Sequence, residues 1–552
     1  MPDRTLPVHP SLEQFKKQAK ELLRDATALQ PAALARLHKH HPRFMNVAPS
    51  QPTSLALADA QLVLAREHGF HSWPAFAKHI KALRIAQSVE DLADPLSAFL
   101  TAACVEPHNW HASGTIEQAE AILAHYPSVA AASIYSASAL ADEPTVSAWL
   151  ARDPSLANAT GGPHQWDALT HLCFSRYLRI HKTRSNAFVS TSRALLNAGA
   201  SANTGFTEYI DTPPRPIHES VIYAAAGLAQ NPALTQLLLD HGADPNDEET
   251  PYHVPETYDN TVLEILLNSG RLNEASLATI AARKCDWHDD KGLQLALGHG
   301  ANPNYVTRWK FTPLHQAIRR DNGLIMIEAL LDHGADPYVH NNQDGRSAIQ
   351  MAAYHGRGDI LEALEKRAFA VNLDDSDGAP TIDSLVAACA RTNLITAQSI
   401  AHRNPPLRTQ LVSLGGPLLA RFVGAGNAAG VRCLLALGIS SAALWPEGDG
   451  YWELAPNSTA LHVAAWRAHH DIVPTLIAAG TPVNALDARN RTALQLAVRA
   501  CTDSYWKYRR QPDSVAALLV AGATTSGIAL PTGYDPIDIL LRAHTDPPPT
   551  TL

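Results

Sequence analysis

The sequence predicts an all-α solenoid in which short helices follow one another in pairs and each pair packs on its sequence neighbours. Three observations carry the prediction. The stretch Phe311–Tyr338 holds two amphipathic segments, Pro313–Arg320 and Leu324–Asp332, joined by a Gly-bearing turn and closed by Gly334. Helices of eight or nine residues do not hold together alone in water, so their stability has to come from an apolar stripe packed on a neighbour. The same close returns in Leu239-Asp240-His241-Gly242 and Leu297-Gly298-His299-Gly300, and a glycine just past the last periodic residue takes most readily the left-handed backbone that stops a helix. Finally, the chain has 552 residues, whereas a single globular core stops growing near roughly 250. A solenoid escapes that limit because each unit packs only on its neighbours.

The residues Thr312-Pro313-Leu314-His315 with Ala317, a Leu-rich second segment and then Gly334-Ala335-Asp336-Pro337 resemble the ankyrin repeat. The motif returns as Thr459–Ala464, Thr492–Ala497, Ser347–Ala352 and Thr250–His253, and its ending returns as Leu196–Ala200, Leu239–Asn246, Leu297–Asn304 and Val520–Ala523. The resemblance covers roughly residues 100–530 and speaks to architecture far more than to activity.

Bulk properties narrow the function classes. No run approaches the ~20 apolar residues needed to cross a bilayer, so a soluble chain is expected. Met1–Gln14 lacks the basic head and apolar run of a secretory leader. Six cysteines (Cys104, Cys173, Cys285, Cys389, Cys433, Cys501) lie scattered, mostly in helical patterns. They read as small buried side chains of a reducing, cytoplasmic compartment, not as a disulfide framework. A net charge of −9 argues against phosphate-backbone binding, which needs clustered Lys and Arg. Neither nucleic acid nor a membrane is an expected partner.

Three regions are expected: a helical capping module over 1–95, the repeats over 96–525, and a C-terminal cap with a frayed tail over 526–552. In the first, Leu12, Phe15, Ala19, Leu22 and Leu23 share a helical face behind Ser11 as N-cap, and Pro31–His40, Leu57–Glu67 and Trp73–Leu83 follow. The pattern of Ser11–Gln14 and Lys16–Lys20, then Asp59–Glu67, Gly69-Phe70 and Ser72-Trp73-Pro74, resembles a leader ahead of bacterial ankyrin-type proteins, which implies a bacterial source. Either this module covers the open end of the stack, or it docks elsewhere through a small basic surface at Arg36–His41 and Lys78–Lys81.

The repeats begin near Phe99 in degenerate form. Ile116–Tyr126 and Ser133–Arg152 read as helical, and similar tails, Tyr126–Ala130 and Asp153–Ala157, close them. Asp167–Thr170 opens a third repeat, whose second helix is Thr191–Ala198 after a long basic segment, Ser175–Asn186. Ser220–Ala225 opens a fourth, and Thr250–Leu272 is a compact fifth. Ser276–Asn304, Thr312–Tyr338, Ser347–Ala368, Thr381–Leu411, Pro417–Ser440, 459–484 and 492–523 bring the total to about twelve. Pro536–Arg542 closes the stack as a last helix.

Candidate chemistry sits among the histidines and tryptophans. In the family the motif histidine, here His253, His315 and His462, ties a loop to the first helix, so the resemblance gives these three a structural role. His241, His299 and His333 precede helix-stopping glycines, where the negative end of a helix dipole favours them. The others gather in segments read as fingers ahead of first helices: Trp110 and His111; His164, Trp166 and Asp167; His218 and Glu219; Trp287, His288 and Asp289; Trp309; and Tyr451 and Trp452.

Two readings compete for this set. A line of Trp110, Trp166, Trp287, Trp309, Tyr451 and Trp452 makes a surface that grips a partner protein, or long fingers bury their own aromatics to stay folded. A sharper reading brings Asp167, Glu219, Asp289, His111, His164, His218 and His288 together in a pocket. Its acid–base chemistry would be that of a hydrolase or lyase, acting on a small or sugar-like ligand held between tryptophans. Phosphate-loop, nucleophile-elbow and zinc-helix signatures are absent. Cys285 with His288, and His108 with His111, have metal-compatible spacing but no second pair. No metal and no cofactor is expected. The favoured reading is a binding scaffold, with the enzyme as its alternative.

Overall fold

The computed structural model describes residues 3–45, 55–105, 114–210 and 214–544. It divides into two compact units, Met1–Val254 and Pro255–Leu552.

The first unit opens with the helices Leu12–Thr27, Pro31–His40, Leu57–Glu67 and Trp73–Ser88. Ser11 caps the first as expected, its hydroxyl accepting the Gln14 N–H. Phe15, Leu22, Val63, Leu64, Phe76 and Ile80 are buried between these helices, with Phe15 and Phe76 edge to face at 4.9 Å. Helix Trp73–Ser88 packs on Glu117–His125, where Lys81 meets Glu117 at 2.6 Å. The basic surface expected here is largely neutralised: Arg36 is held by Glu67, Lys39 and His40 by Asp3, and His41 and Arg43 by Asp59.

Helix pairs follow: Pro95–Ala103 with Glu117–His125, Ile134–Ala139 with Glu143–Arg152, and Ala168–Cys173 with Ser185–Asn197. Next come Val221–Tyr223, continued by a π-helical turn to Leu228, with Pro232–Asp240, and then Glu249–His253. The matching tails of the two early pairs fold as matching 3₁₀ turns, Pro127–Ala131 and Pro154–Ala157. Consecutive first helices pack on each other. The long basic insert serves their open C-termini: Arg176 donates to the Ala102 carbonyl at 2.8 Å, Arg184 to that of Leu140, and Lys182 to that of Ala229. These are carbonyls that a helix end leaves without an internal partner.

One feature departs from the helical reading. Ahead of Val221 the chain forms an antiparallel hairpin, Gly205–Ile210 against Arg215–Ser220, in register from Gly205↔Ser220 to Ile210↔Arg215. A side chain at Gly205 would lie 2.1 Å from the Glu219 carbonyl oxygen, so only glycine fits.

The second unit contains Thr261–Asn268 and then the pairs Glu274–Asp286 with Asp290–Gly298, Pro313–Arg319 with Leu324–Asp332, Ala348–Tyr354 with Gly358–Lys366, and Ile382–Ala390 with Leu394–Arg403. The long segment Pro405–Gly424, broken at Gly415 (φ 50°), leads to Ala428–Ala436, followed by Ala460–Trp466 with Ile472–Ala478 and Ala493–Thr502 with Asp513–Val520. First helices again stack in sequence order from Glu274–Asp286 to Ala493–Thr502. Thr312, Ser347, Thr381 and Thr492 cap them through their hydroxyls. His315 bridges Thr312 Oγ1 (2.7 Å) and the Arg346 carbonyl (3.1 Å), and His462 bridges Thr459 and the Arg491 carbonyl in the same way. The helix-stopping glycines Gly300 and Gly334 have φ of 89° and 87°. His299 and His333 turn back to carbonyls four residues earlier, at 2.8 Å in each case. Helix Asp535–His544 packs on Asp513–Val520 through buried Ile537 and Leu541. The Pro-rich tail read as frayed lies outside the described residues.

His253 corrects the expectation drawn from its motif. Asp247, not Thr250, holds the helix start by accepting the Thr250 N–H at 2.7 Å. His253 therefore stands at the helix end, paired with Glu249 at 3.2 Å and beside the Tyr223 ring.

Candidate functional site

The geometry that stands out belongs to a loop of the second unit. Leu444-Trp445 pair antiparallel with Ser458-Thr459, and between them Asp449 and Leu454 exchange backbone hydrogen bonds at 2.9 Å, so the loop is a built finger. Gly448 makes its turn with φ of 63°, where a side chain would meet the Leu454 carbonyl at 2.4 Å. At the tip, Asp449 Oδ1 accepts the N–H groups of Tyr451 (2.9 Å) and Trp452 (3.4 Å), which aims both rings outward. Tyr451 lands on repeats far back in the chain, and Trp452 between those and the repeats that follow. The Tyr451 hydroxyl donates to the Asp286 carbonyl, and the Arg320 guanidinium lies 3.7 Å over its ring. Trp452 carries Arg467 at 3.6 Å and faces His288 at 6.1 Å and Trp506 at 5.9 Å.

The finger thereby roofs a chamber of about 540 Å3, whose walls come from first helices and their approaches: Phe311, Arg319, Arg346, Tyr354, His355, Arg421, Trp445 and Arg467 are among the lining residues. Arg467 pairs with Asp321 at 3.1 Å and Arg346 with Asp344. Burial, and then the neighbouring guanidiniums, push the pKa of Arg319 and Arg421 down and hold His355 uncharged.

The residues read as a site in the sequence fall in several places. Trp110 and His111 lie outside the described residues. Trp166 is 4% exposed and stacks on Phe206 at 4.5 Å with His164 on its other side at 4.7 Å, a packed finger and not an open anchor. Asp167 is the N-cap of Ala168–Cys173, accepting the Thr170 N–H at 2.8 Å and the Thr204 hydroxyl. Glu219 lies buried in the hairpin with Glu208, and burial, then the charges of Glu249 and Glu208, raise its pKa to about 8. His218 precedes Glu219 on a strand, points to the opposite face and is exposed. An acid–base reading in the first unit therefore rests on Glu219 without His218.

Trp287, His288 and Asp289 are not in a finger. Helix Glu274–Asp286 is longer than its neighbours and runs through the preceding residues, so the three form the turn between the two helices of a pair. Asp289 caps the second helix by accepting the Gly292 N–H at 3.0 Å, and it pairs with fully buried Lys284 at 2.8 Å. Burial alone would raise its pKa, but the Lys284 and Gly292 hydrogen bonds outweigh that and hold it low. His288 is exposed, with Nδ1 3.0 Å from Asn322 Nδ2. Trp287 is half-buried beside Tyr258, and Trp309 half-buried beneath Arg308 at 4.7 Å. No group of three or more His, Cys, Asp and Glu side chains with metal-holding geometry occurs among the described residues.

The chamber arginines were not singled out from the sequence, where an Arg at a helix end reads as a dipole complement. A signal does exist. Seven residues after the cap, the motifs opened by Thr312, Ser347, Thr459 and Thr492 carry Arg319, Tyr354, Trp466 and Arg499, whereas that opened by Thr381 carries Ala388, and in the first three of the four the next position carries Arg320, His355 and Arg467.

Family models match two parts of this architecture. The family model for ankyrin repeats (three copies) matches residues 279–375, and that for the single ankyrin repeat matches residues 457–488. An ankyrin repeat protein of Fowlpox virus (strain NVSL), FPV031, is 28% identical over 127 residues, which is 21% of this chain and 37% of that protein, so the match spans little more than a third of its relative. The crystal structure of the human ASB11 ankyrin repeat domain aligns at 20% identity over 50% of this chain and 99% of its own, with a TM-score of 0.23. That of Bcl-3 aligns at 18% identity over 49% and 94%, with a TM-score of 0.19. The chain thus contains ankyrin repeats over residues 279–375 and 457–488.

Proposed function

We propose that the protein is a binding scaffold and that a partner protein docks on the aromatic patch around the tip of the 445–458 finger. The observation that carries this reading is the meeting of three separate stretches there. Tyr258 packs on Trp287 at 6.5 Å and Tyr451 on Trp452 at 4.7 Å, the Tyr451 hydroxyl joins the second pair to Asp286 beside the first, and Tyr258 stays 67% and Tyr451 37% exposed. Partly open Trp and Tyr rings beside guanidiniums have the composition of interface hot spots. Trp309, half-buried on the approach to the next first helix, is a second candidate anchor. In this scaffold the helices of residues 12–88 cover the open end of the repeats. The resemblance of that module to a bacterial leader supports a bacterial source, and six free, buried cysteines support a cytoplasmic setting.

The test is affinity capture with three variants. Trp287→Ala and Trp309→Ala are expected to lose a partner that the wild type retains, with unfolding midpoints nearly unchanged. Trp166→Ala is expected to keep the partner and lose about 3–5 kcal/mol of stability. A partner retained equally by all three variants would rule out the patch as its dock.

A further inference from the structure

Four arginines, Arg319, Arg346, Arg421 and Arg467, and four carboxylates, Asp321, Asp344, Glu447 and Asp449, line the chamber under the finger, yet only two of the arginines form ion pairs with them. Arg467 and Arg346 are paired with Asp321 and Asp344. Arg319 donates only to Gln316 Oε1, at 3.1 Å, and stacks on Phe311 at 4.6 Å. Among the described residues the Arg421 guanidinium makes no hydrogen bond or ion pair, Asp344, Asp449 and Glu447 acting on it only at longer range, and the His355 ring has no hydrogen-bond partner. Two further acids line the chamber: Glu447 stands in solvent, and Asp449 holds the turn at the finger tip. Like charges held partly out of water cost stability unless a counter-charge arrives, and perturbed groups lining a cleft mark a functional site.

We infer that the chamber binds a small organic dianion, its oxygens held by Arg319 and Arg421 with the His355 ring N–H as a further donor. Two guanidiniums with no carboxylate in contact suit the two charged oxygens of such a ligand. The planar Arg fork suits phosphate and carboxylate alike, so a phosphate monoester and a short dicarboxylate share the required chemistry. Tyr354 and Trp445 offer the body of such a ligand aromatic surface, and about 540 Å3 falls within the roughly 300–1,000 Å3 of small-molecule sites. The inference goes beyond the partner-protein reading and does not depend on it.

Isothermal titration of the full chain with phenyl phosphate and with succinate, at low ionic strength, tests it. Saturable one-to-one binding of at least one probe is expected, weakened about tenfold or more in Arg421→Gln and in Arg319→Gln and unchanged in Lys291→Gln, an exposed cation outside the chamber. Binding of phenyl phosphate alone identifies a monoester, and binding of succinate alone a dicarboxylate. Without probe, Arg421→Gln is expected to melt at or above the wild-type temperature, because it removes a part-buried guanidinium that makes no ion pair. Should it melt lower, Arg319→Gln decides the binding question. Binding of neither probe, equal binding by wild type and both Arg variants, or equal weakening in Lys291→Gln overturns the proposal.

Discussion

At His171, His315 and His469, burial lowers the imidazole pKa from 6.5 to about 4. The folded value lies below the unfolded one, so the unfolded chain takes up protons first and stability is lost as pH falls from about 6.5 towards 4. Glu219 works the other way. Its pKa is raised from 4.5 to about 8, so the folded state keeps the proton longer and stability is lost as pH rises through that window. Chemical denaturation across pH is therefore expected to show Glu219→Gln more stable than wild type at pH 8 by about 1–3 kcal/mol, with little difference at pH 5. The role of His315 was legible in the sequence because its hydroxyl partner, Thr312, stands three residues away. The burial of Glu219 was not, because its neighbours Glu208 and Glu249 are brought to it by a hairpin and a helix that lie outside its own segment.

Among the elements, the caps are the legible part and the loops the illegible one. Thr312 and Thr492 each hold an N–H three residues on, a purely local contact. Replacing Thr492 by Ala is expected to cost about 1 kcal/mol by urea unfolding. The segment Asp286–Asp289 was read as a finger because first helices elsewhere in the unit are mostly shorter, such as Pro313–Arg319. Helix Glu274–Asp286 runs 13 residues and carries the same Trp-His-Asp string to the opposite end of the pair. Thr250-Pro251-Tyr252-His253 has the letters of the motif but not its geometry, since Asp247 captures the Thr250 N–H first. A capping pattern fixes where a helix starts only when no stronger acceptor lies just upstream.

Across the molecule, packing between sequence neighbours prevails in each unit, which is why the repeat pattern foretold the architecture. The finger and the helix end after it are exceptions: the Tyr451 hydroxyl reaches the Asp286 carbonyl 165 positions away, and Arg467 reaches Asp321 146 positions away. In a purely nearest-neighbour stack, a substitution perturbs only adjoining repeats. Tyr451→Ala is instead expected to raise amide hydrogen exchange around residues 284–290 as well as in its own loop, read by peptide-level mass spectrometry. Unchanged exchange at 284–290 would show that the finger carries no coupling. Pattern reading missed this link because no local periodicity encodes where the tip of a loop will land.

A stack in which every member touches only the next behaves as a spring, and its inner curve opens and closes as it flexes. The fastening of Tyr451 at Asp286 and Arg320 works as a strap across that curve. The arc it spans is expected to resist stretching more than the repeats outside it. The spacing of the walls beneath the strap is then set by the fold itself, before anything has entered.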